Sequence, residues 1–358
     1  MKYEFHAQFS LALRDSATQA FAISVLVGKR EKHPSWKEIY QLQNTFEGIN
    51  ILAQSIITPY KELARMGTRL KADGYRYWIE YKANDFLKNQ LNFVNDIGLR
   101  HSLPDLLQFP PGSWTVQITF TLRKPYLSKD DVDFYIIDNP VKKEWVFKVP
   151  YVAPSQWKGA LRAAIMRELV EEQLEPEEFA KRRYRLVLLF GDEKGEEPGS
   201  IKGLAGYLDQ MGGEEAAQLF RKMVRSHFGI PDDKPMPHLR GSLHFYPTFF
   251  GRIGLEAINP HPRDTGAGKN PIYFECVPAG TSGIFTLLYV PLDTGPKDEQ
   301  SVQADLEAVA SGVRAMLTTY GFGAKTSSGY GVADVLKNQS QIVPPDLEKV
   351  FWKAWEEK

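Results

Sequence analysis

The chain has 358 residues, of which 43% are hydrophobic, 12% aromatic and 25% charged, a globular composition with room for two buried cores and little for long disorder. Its 44 basic and 44 acidic side chains give a formal net charge of zero, so any nucleic-acid surface must be a local basic patch on a neutral body. The lone Cys276 excludes an internal disulfide and a cysteine-rich zinc site, the histidines fall at no metal-ligand spacing, and no apolar run reaches membrane-spanning length, so a soluble, cytoplasmic protein with no membrane partner is expected.

The N-terminal part reads as helical. A helix is expected between Ala17 and Val27. Ser35 and Glu38 form an S-x-x-E capping box, and Trp36, Ile39, Leu42, Phe46, Ile49, Ala53 and Ile56 follow at helical spacing. Thr58-Pro59 supplies the cap and first position of a further helix through Tyr60, Leu63 and Leu70. After Gly74, the spacing of Ile79, Ala83, Phe86, Leu87, Leu91 and Val94 predicts another. Lys61, Arg65 and Arg69 recur every four residues on one face, either a solvated helix surface or a track for a phosphate backbone. Residues 1–110 are therefore assigned to a mainly helical domain.

Gln108 to Ser113, with Pro110, Pro111 and Gly112, is the clearest linker, and residues 111–358 follow a different pattern. Trp114, Val116, Ile118, Phe120 and Leu122 alternate with polar residues as a half-buried strand. Pro154 and Ser155 open a helix with Trp157, Leu161, Ala164, Ile165 and Leu169 on its buried stripe. Arg185 to Phe190 reads as a strand ended by Gly191, and residues 192–240 as a charged insertion with a helical middle near Ala216 to Val224. Ser242–Phe250 and Ile284–Val290 read as strands, Ser301–Thr319 as the second major helix and Gly331–Val335 as a short strand. Leu347, Val350, Phe351 and Trp355 make a terminal amphipathic helix. The order strand, helix, strand, strand, helix, strand gives an α+β fold with a ferredoxin-like split βαβ core.

Three segments carry candidate chemistry. The run from Gly321 to Gly331 holds Gly321, Gly323, Lys325, Ser327, Ser328, Gly329 and Tyr330. Glycine backbone can approach a phosphate closely, while lysine and hydroxyls add charge and donors. Its context is helix, loop, strand, the reverse of a dinucleotide or phosphate-loop fingerprint, and Thr326 occupies that fingerprint's third glycine position. A nucleotide enzyme built on this loop is thus disfavoured. Phe322 and Tyr330 either stack on a base or pack onto their own domain. The second segment is the helix opening at Ser155, where the positive dipole end meets Lys158 and Arg162 one turn apart, features that suit a phosphodiester; the plainer role of the two cations is helix surface. The third is Asp138, just upstream. Beside a phosphodiester it would hold a divalent cation or handle a proton; the plainer role is capping a turn before Pro140.

Ile137-Asp138-Asn139-Pro140-Val141, the run from Val149 to Arg162, Leu189-Phe190-Gly191, Gly241 to Phe245, the stretch from Asn259 to Gly280 and the terminal glycine loop occur in an order that resembles RAMP proteins, the backbone subunits of type III CRISPR effector complexes. The resemblance covers roughly residues 114–335. It implies an RRM-like ferredoxin core, a thumb at about residues 254–272, and partners in guide RNA, target RNA and other effector subunits; Arg263, between Pro262 and Asp264, is then either an RNA contact of the thumb or one half of a local ion pair. In cleaving members the corresponding aspartate, here Asp138, cuts target RNA with a divalent cation (Mg2+ or Mn2+) by 2′-hydroxyl attack; other members bind guide RNA only. Two departures stand out. The segment Leu122 to Asp130 lacks the family's glycine-rich loop, and Gln156 and Trp157 replace the usual small polar residues or leucine. The helical N-terminal region has no counterpart in a plain backbone subunit, and a fused small helical subunit is one reading of it.

Overall fold

A computed structural model describes residues 16–29, 45–55, 60–67, 73–99, 103–131, 135–193, 203–235, 238–259, 271–291 and 299–357. The N-terminal region is helical as expected: α1 (Ser16–Leu26), α2 (Thr45–Ser55), α3 (Lys61–Met66), α4 (Tyr75–Tyr81) and α5 (Ala83–Asp96). Where one helix was expected after Gly74 there are two, because Lys82 leaves the helical region at φ −123° and ψ −31°. Phe46, Trp78 and Phe86 form an aromatic centre, with Phe46 and Phe86 stacked at 5.3 Å. The Ser35–Glu38 capping box, Thr58-Pro59 and Arg69 lie outside the described residues.

The sheet begins with β1 (Trp114–Leu122), whose alternation places Trp114, Val116, Ile118, Phe120 and Leu122 in the core at no more than 1% exposure. β7 (Ser282–Tyr289) pairs with one edge of β1 along its length, from Trp114 opposite Tyr289 to Thr121 opposite Ser282. The other edge takes two short strands, β8 (Ala333–Val335) beside Phe120–Leu122 and β9 (Gln341–Val343) beside Thr115–Gln117. β3 (Leu243–Phe245) lies outside β7. The order β3-β7-β1-β8, antiparallel throughout, is that of a ferredoxin-like sheet. Its crossover helices α6 (Pro154–Glu171) and α9 (Glu299–Arg314) bury Trp157, Leu161 and Ala164 from one, and Leu306, Val309 and Val313 from the other. At the C-terminus α10 (Glu348–Glu356) docks through Phe351 and Trp355.

Several expectations are corrected. Arg185–Phe190 is no strand but the last part of α7 (Pro176–Phe190). A continuous apolar run cannot separate a buried strand from a buried helix. The signal that decides lies upstream, with Pro176 at the first position and Glu177 and Glu178 in the first turn. The helical middle of the insertion extends into α8 (Leu204–Phe228), kinked at Gly213. Ser242–Phe250 divides into β3 and β4 (Thr248–Phe249), because Pro247 has no N–H for a ladder, and β4 pairs with β2 (Tyr151–Val152) instead of β7. The helix expected to Thr319 keeps α-helical form to Arg314 and widens into a π turn over Ala315–Tyr320. Within the stretch expected to form a thumb, β5 (Gly254–Ile258) and β6 (Ile272–Cys276) pair antiparallel from Gly254 opposite Cys276 to Ile258 opposite Ile272. Arg263 lies outside the described residues.

A buried polar network ties the N-terminal helices to the sheet domain. Glu275 of β6 is fully buried. Its Oε1 accepts from the Tyr135 hydroxyl at 2.7 Å and from the Tyr75 hydroxyl of α4. Its Oε2 accepts from Val141 N at 3.1 Å and from Lys143 Nζ. Burial, reinforced by the Glu275 charge, pushes both tyrosine hydroxyls well above their ordinary pKa, so they stay protonated donors.

Candidate functional site

The glycine loop is folded against the protein before it can meet a ligand. Phe322 is buried against Trp157 (4.5 Å), Tyr126 (5.5 Å) and Phe120 (5.6 Å), so it packs in the core instead of stacking on a base. Phe322 N donates to Gly331 O (3.1 Å), Ala324 N to Leu127 O (2.7 Å) and Gly331 N to Pro125 O (2.9 Å). A Cβ at Gly331, which sits at φ +73°, would lie 1.9 Å from Phe322 O, and one at Gly323, at φ +93°, 2.3 Å from Leu127 O. These glycines let protein backbone approach protein backbone. What the loop presents outward is Lys325, in the left-handed region at φ 57°, followed by a 3-10 turn over Thr326–Ser328. Lys325, Ser327 and Ser328 are exposed, as is the neighbouring Lys124, whose Nζ lies 3.6 Å from the position of a Cβ on Gly329. Tyr330 is half-buried and donates to Glu256 Oε1 of β5 at 3.0 Å; partial burial and then Glu256 raise its hydroxyl's pKa.

The start of α6 is joined to this loop. Trp157 is buried beneath Phe322 and donates from Nε1 to Thr248 Oγ1 at 3.0 Å. Gln156 Oε1 accepts from Ala153 N at 2.9 Å and from the Tyr126 hydroxyl at 3.4 Å. The family-atypical pair Gln156-Trp157 thus caps the helix and seats the loop. Ser155 and Lys158 remain exposed. Partial burial of its stem, helped by the Arg162 charge and opposed by Asp192, lowers the Lys158 pKa. Arg162 turns inward, giving Nη2 to Asp192 O at 3.1 Å, so it is not a free cation at the surface. Burial lowers the pKa of His244, and Arg240 and Lys158 lower it further.

Asp138 stands on a strap whose neighbours Ile137 and Val141 are buried. Asn139 bridges Phe274 of β6, and Glu275 N donates to Asn139 O at 2.9 Å. The Phe274 ring lies 5.1 Å from Lys325 Nζ, so β6 connects the aspartate strap to the glycine loop. The Asp138 side chain is 57% exposed, and its Oδ1 accepts from Lys61 Nζ at 3.0 Å and from Arg65 Nη2. Arg65 is itself buried and gives Nε to Ile136 O at 2.8 Å. Partial burial acts to raise the Asp138 carboxyl, but the hydrogen bonds and charges of Lys61 and Arg65 outweigh it and hold the pKa below the ordinary value. Arg65 is therefore no part of a solvated face, and neither it nor the half-exposed Lys61 is a free phosphate track. They clamp α3 onto the strap.

This donor set does not suit a divalent cation. The two cations on Oδ1 already supply the positive charge that a metal would bring, and an ion there would meet like charge. Among the described residues no group of three or more His, Cys, Asp or Glu side chains is placed to hold a metal. Of the neighbouring acids, Asp130 Oδ2 accepts from Lys143 N at 3.2 Å and so shapes the strap, Asp131 is exposed, and Asp133 lies outside the described residues. Among the described residues no helix is long and apolar enough to cross a membrane.

A family model described as the RAMP superfamily matches residues 134–334, more than half of the chain. No curated protein matches it. Among solved structures, a Type III-B Cmr-beta complex bound to cognate target RNA, determined by cryo-EM, contains a similar chain with TM-score 0.37 and 11% identity, covering 91% of this chain and 90% of that one. Cmr6 from Pyrococcus furiosus is similar with TM-score 0.30 and 17% identity, covering 62% of this chain and 97% of that one. The matched span takes in the aspartate strap, both crossover helices, the β5–β6 pair and the glycine loop, and the chain belongs to the RAMP superfamily.

Proposed function

We propose that this chain is a guide-RNA-binding scaffold subunit of a type III CRISPR effector complex, in which Asp138 anchors the N-terminal helices instead of cutting RNA. The ordered motifs that resemble type III backbone subunits support the setting. The exposed Lys124, Lys325, Ser327 and Ser328, with Ser155 and Lys158 at the helix start, supply the cations and donors that a phosphate backbone needs. The scaffold reading rests on one observation: Asp138 Oδ1 is shared by Lys61 and Arg65. Attack by a ribose 2′-hydroxyl needs a base, and a carboxylate held below its ordinary pKa is a weak one at neutral pH.

The competing reading, in which Asp138 cuts target RNA, is supported by the 57% exposure of its side chain. One experiment separates the two. The assembled complex carrying Asp138→Ala is given complementary RNA and Mg2+, and the products are counted against wild type. The scaffold role gives an unchanged cutting pattern with guide RNA retained. Loss of one cut with guide retained assigns the chemistry to Asp138 and ends the scaffold reading.

A further inference from the structure

The strap between β1 and α6 doubles back over residues 142–151 into a turn fixed from several directions. Glu144 N donates to Val149 O (2.9 Å), Lys148 N to Glu144 O (3.0 Å) and Tyr151 N to Lys142 O (3.1 Å). Inside the turn, Glu144 Oε2 accepts from Val146 N (2.7 Å) and Phe147 N (2.8 Å), so the carboxylate serves the backbone. Lys148 takes the left-handed conformation at φ 56°. Phe147 points inward, 7% exposed, with its ring 5.7 Å from that of Phe93. The outcome is a rigid tip that holds Trp145 at 75% exposure. Lys148 Nζ lies 4.5 Å from the centroid of the indole.

An indole left 75% exposed on a turn held by this many backbone hydrogen bonds is not placed there by burial. We propose that Trp145 is a nucleobase-stacking platform, backed by Lys148, that takes one unpaired base of a bound single-stranded RNA. This rests on the RNA-binding reading above and adds a contact that neither the glycine loop nor the helix start provides. A protein partner is the rival occupant, since Val146 (70% exposed) and Phe93 (55%) lie close by. The surroundings favour a base. A planar ring backed by a cation suits a π-face, Lys148 suits an attached phosphate, and the fixed turn leaves little ordering to be done on binding. Stacking is also indifferent to base identity, as a subunit that holds any guide requires.

The test uses the full chain, a single-stranded RNA probe carrying 5-iodouridine, and the variants Trp145→Ala, Trp145→Phe and Val146→Ser. Stacking predicts a photo-cross-link at Trp145. It also predicts that Trp145→Ala weakens binding about 5- to 150-fold without altering the salt slope, that Trp145→Phe stays within a few-fold of wild type, and that Val146→Ser has no effect. Wild-type affinity in Trp145→Ala, or cross-links only at other sites while binding persists, overturns the platform and leaves the RNA-binding reading standing. Release of a protein subunit from the complex by Trp145→Ala, with RNA affinity unchanged, replaces the base with a protein partner. Failure of the wild-type chain to bind RNA overturns both readings.

Discussion

Arg65 shows how little of a residue's role follows from its spacing. In sequence it is the middle of three cations on a helix face; in the fold it is buried and fastens Ile136 O and Asp138, a partner more than seventy positions away. Helix spacing was legible, but the partner was not, because a long-range ion pair leaves no local pattern. Arg65→Ala is expected to lower stability by about 1–3 kcal/mol, the range for losing hydrogen bonds to and from a charged group. In urea titrations, a double-mutant cycle with Asp138→Asn should return a favourable coupling. The coupling has a defined pH dependence. The native Asp138 pKa lies below its unfolded value, so the stabilisation is complete above the ordinary aspartate pKa of about 3.9. It is lost as pH falls through the lower native value. The measured coupling should therefore hold from neutral pH down to about 5 and fade below about 4; a loss near pH 6 would point to another group. Glu275 was invisible for a related reason, since nothing in Tyr273-Phe274-Glu275-Cys276 marks its glutamate as buried. Glu275→Ala leaves Lys143 buried and unpaired, with an expected loss of about 3–5 kcal/mol in the same assay.

Elements were legible where one local signal dominated. Strict alternation located β1, and the positions of Pro154 and Ser155 located the start of α6. Where two partners bury an element from both sides, periodicity blurs, and the end of α7 from Arg185 to Phe190 reads as a strand because Leu186 to Phe190 is continuously apolar. The glycine loop was found from composition, yet its glycines answer to packing: Gly331 lies against Phe322 O and Gly323 against Leu127 O. That distinction can be tested. Gly331→Ala must be accommodated at φ +73° with its Cβ 1.9 Å from a carbonyl oxygen, so the loop must rearrange. We expect about 1–3 kcal/mol of destabilisation, the range for residues held in strained backbone regions. Hydrogen exchange should show lost protection at the amides of Phe322 and Ala324, which donate within this packing. Loss confined to RNA affinity, with those amides still protected, would mean that the glycine serves the ligand directly.

At the scale of the molecule, a net charge of zero conceals a difference in pairing between the two ends of α6. Helix α6 has 18 residues and so spans about 27 Å. It carries Lys158 near its N-terminus and Glu168, Glu171 and Glu172 at its C-terminal end, with Glu175, Glu177 and Glu178 following at the start of α7. This polarity is the reverse of what a helix dipole rewards, since anions are favoured at the N-terminus and cations at the C-terminus. The arrangement sacrifices local stability and leaves the positive end of the dipole beside lysine, joined through Trp157 and Phe322 to the loop that carries Lys325. The acids at the far end are engaged, Glu172 and Glu178 with Arg182, Glu177 with Lys181 and Glu168 with Arg314, so the exposed lysines at the helix start and the loop set where a strand is drawn. The expected signature is in the salt dependence of binding to single-stranded RNA, where each phosphate contact contributes about −0.7 to the log–log slope. Lys124→Ala and Lys325→Ala should each flatten the slope by roughly that amount. Lys181→Ala, which removes a cation paired with Glu177 at the acidic end, should leave the slope unchanged. Equal flattening by all three would mean that RNA senses the chain as a diffuse polyelectrolyte, and the oriented path along the glycine loop and helix start would have to be abandoned.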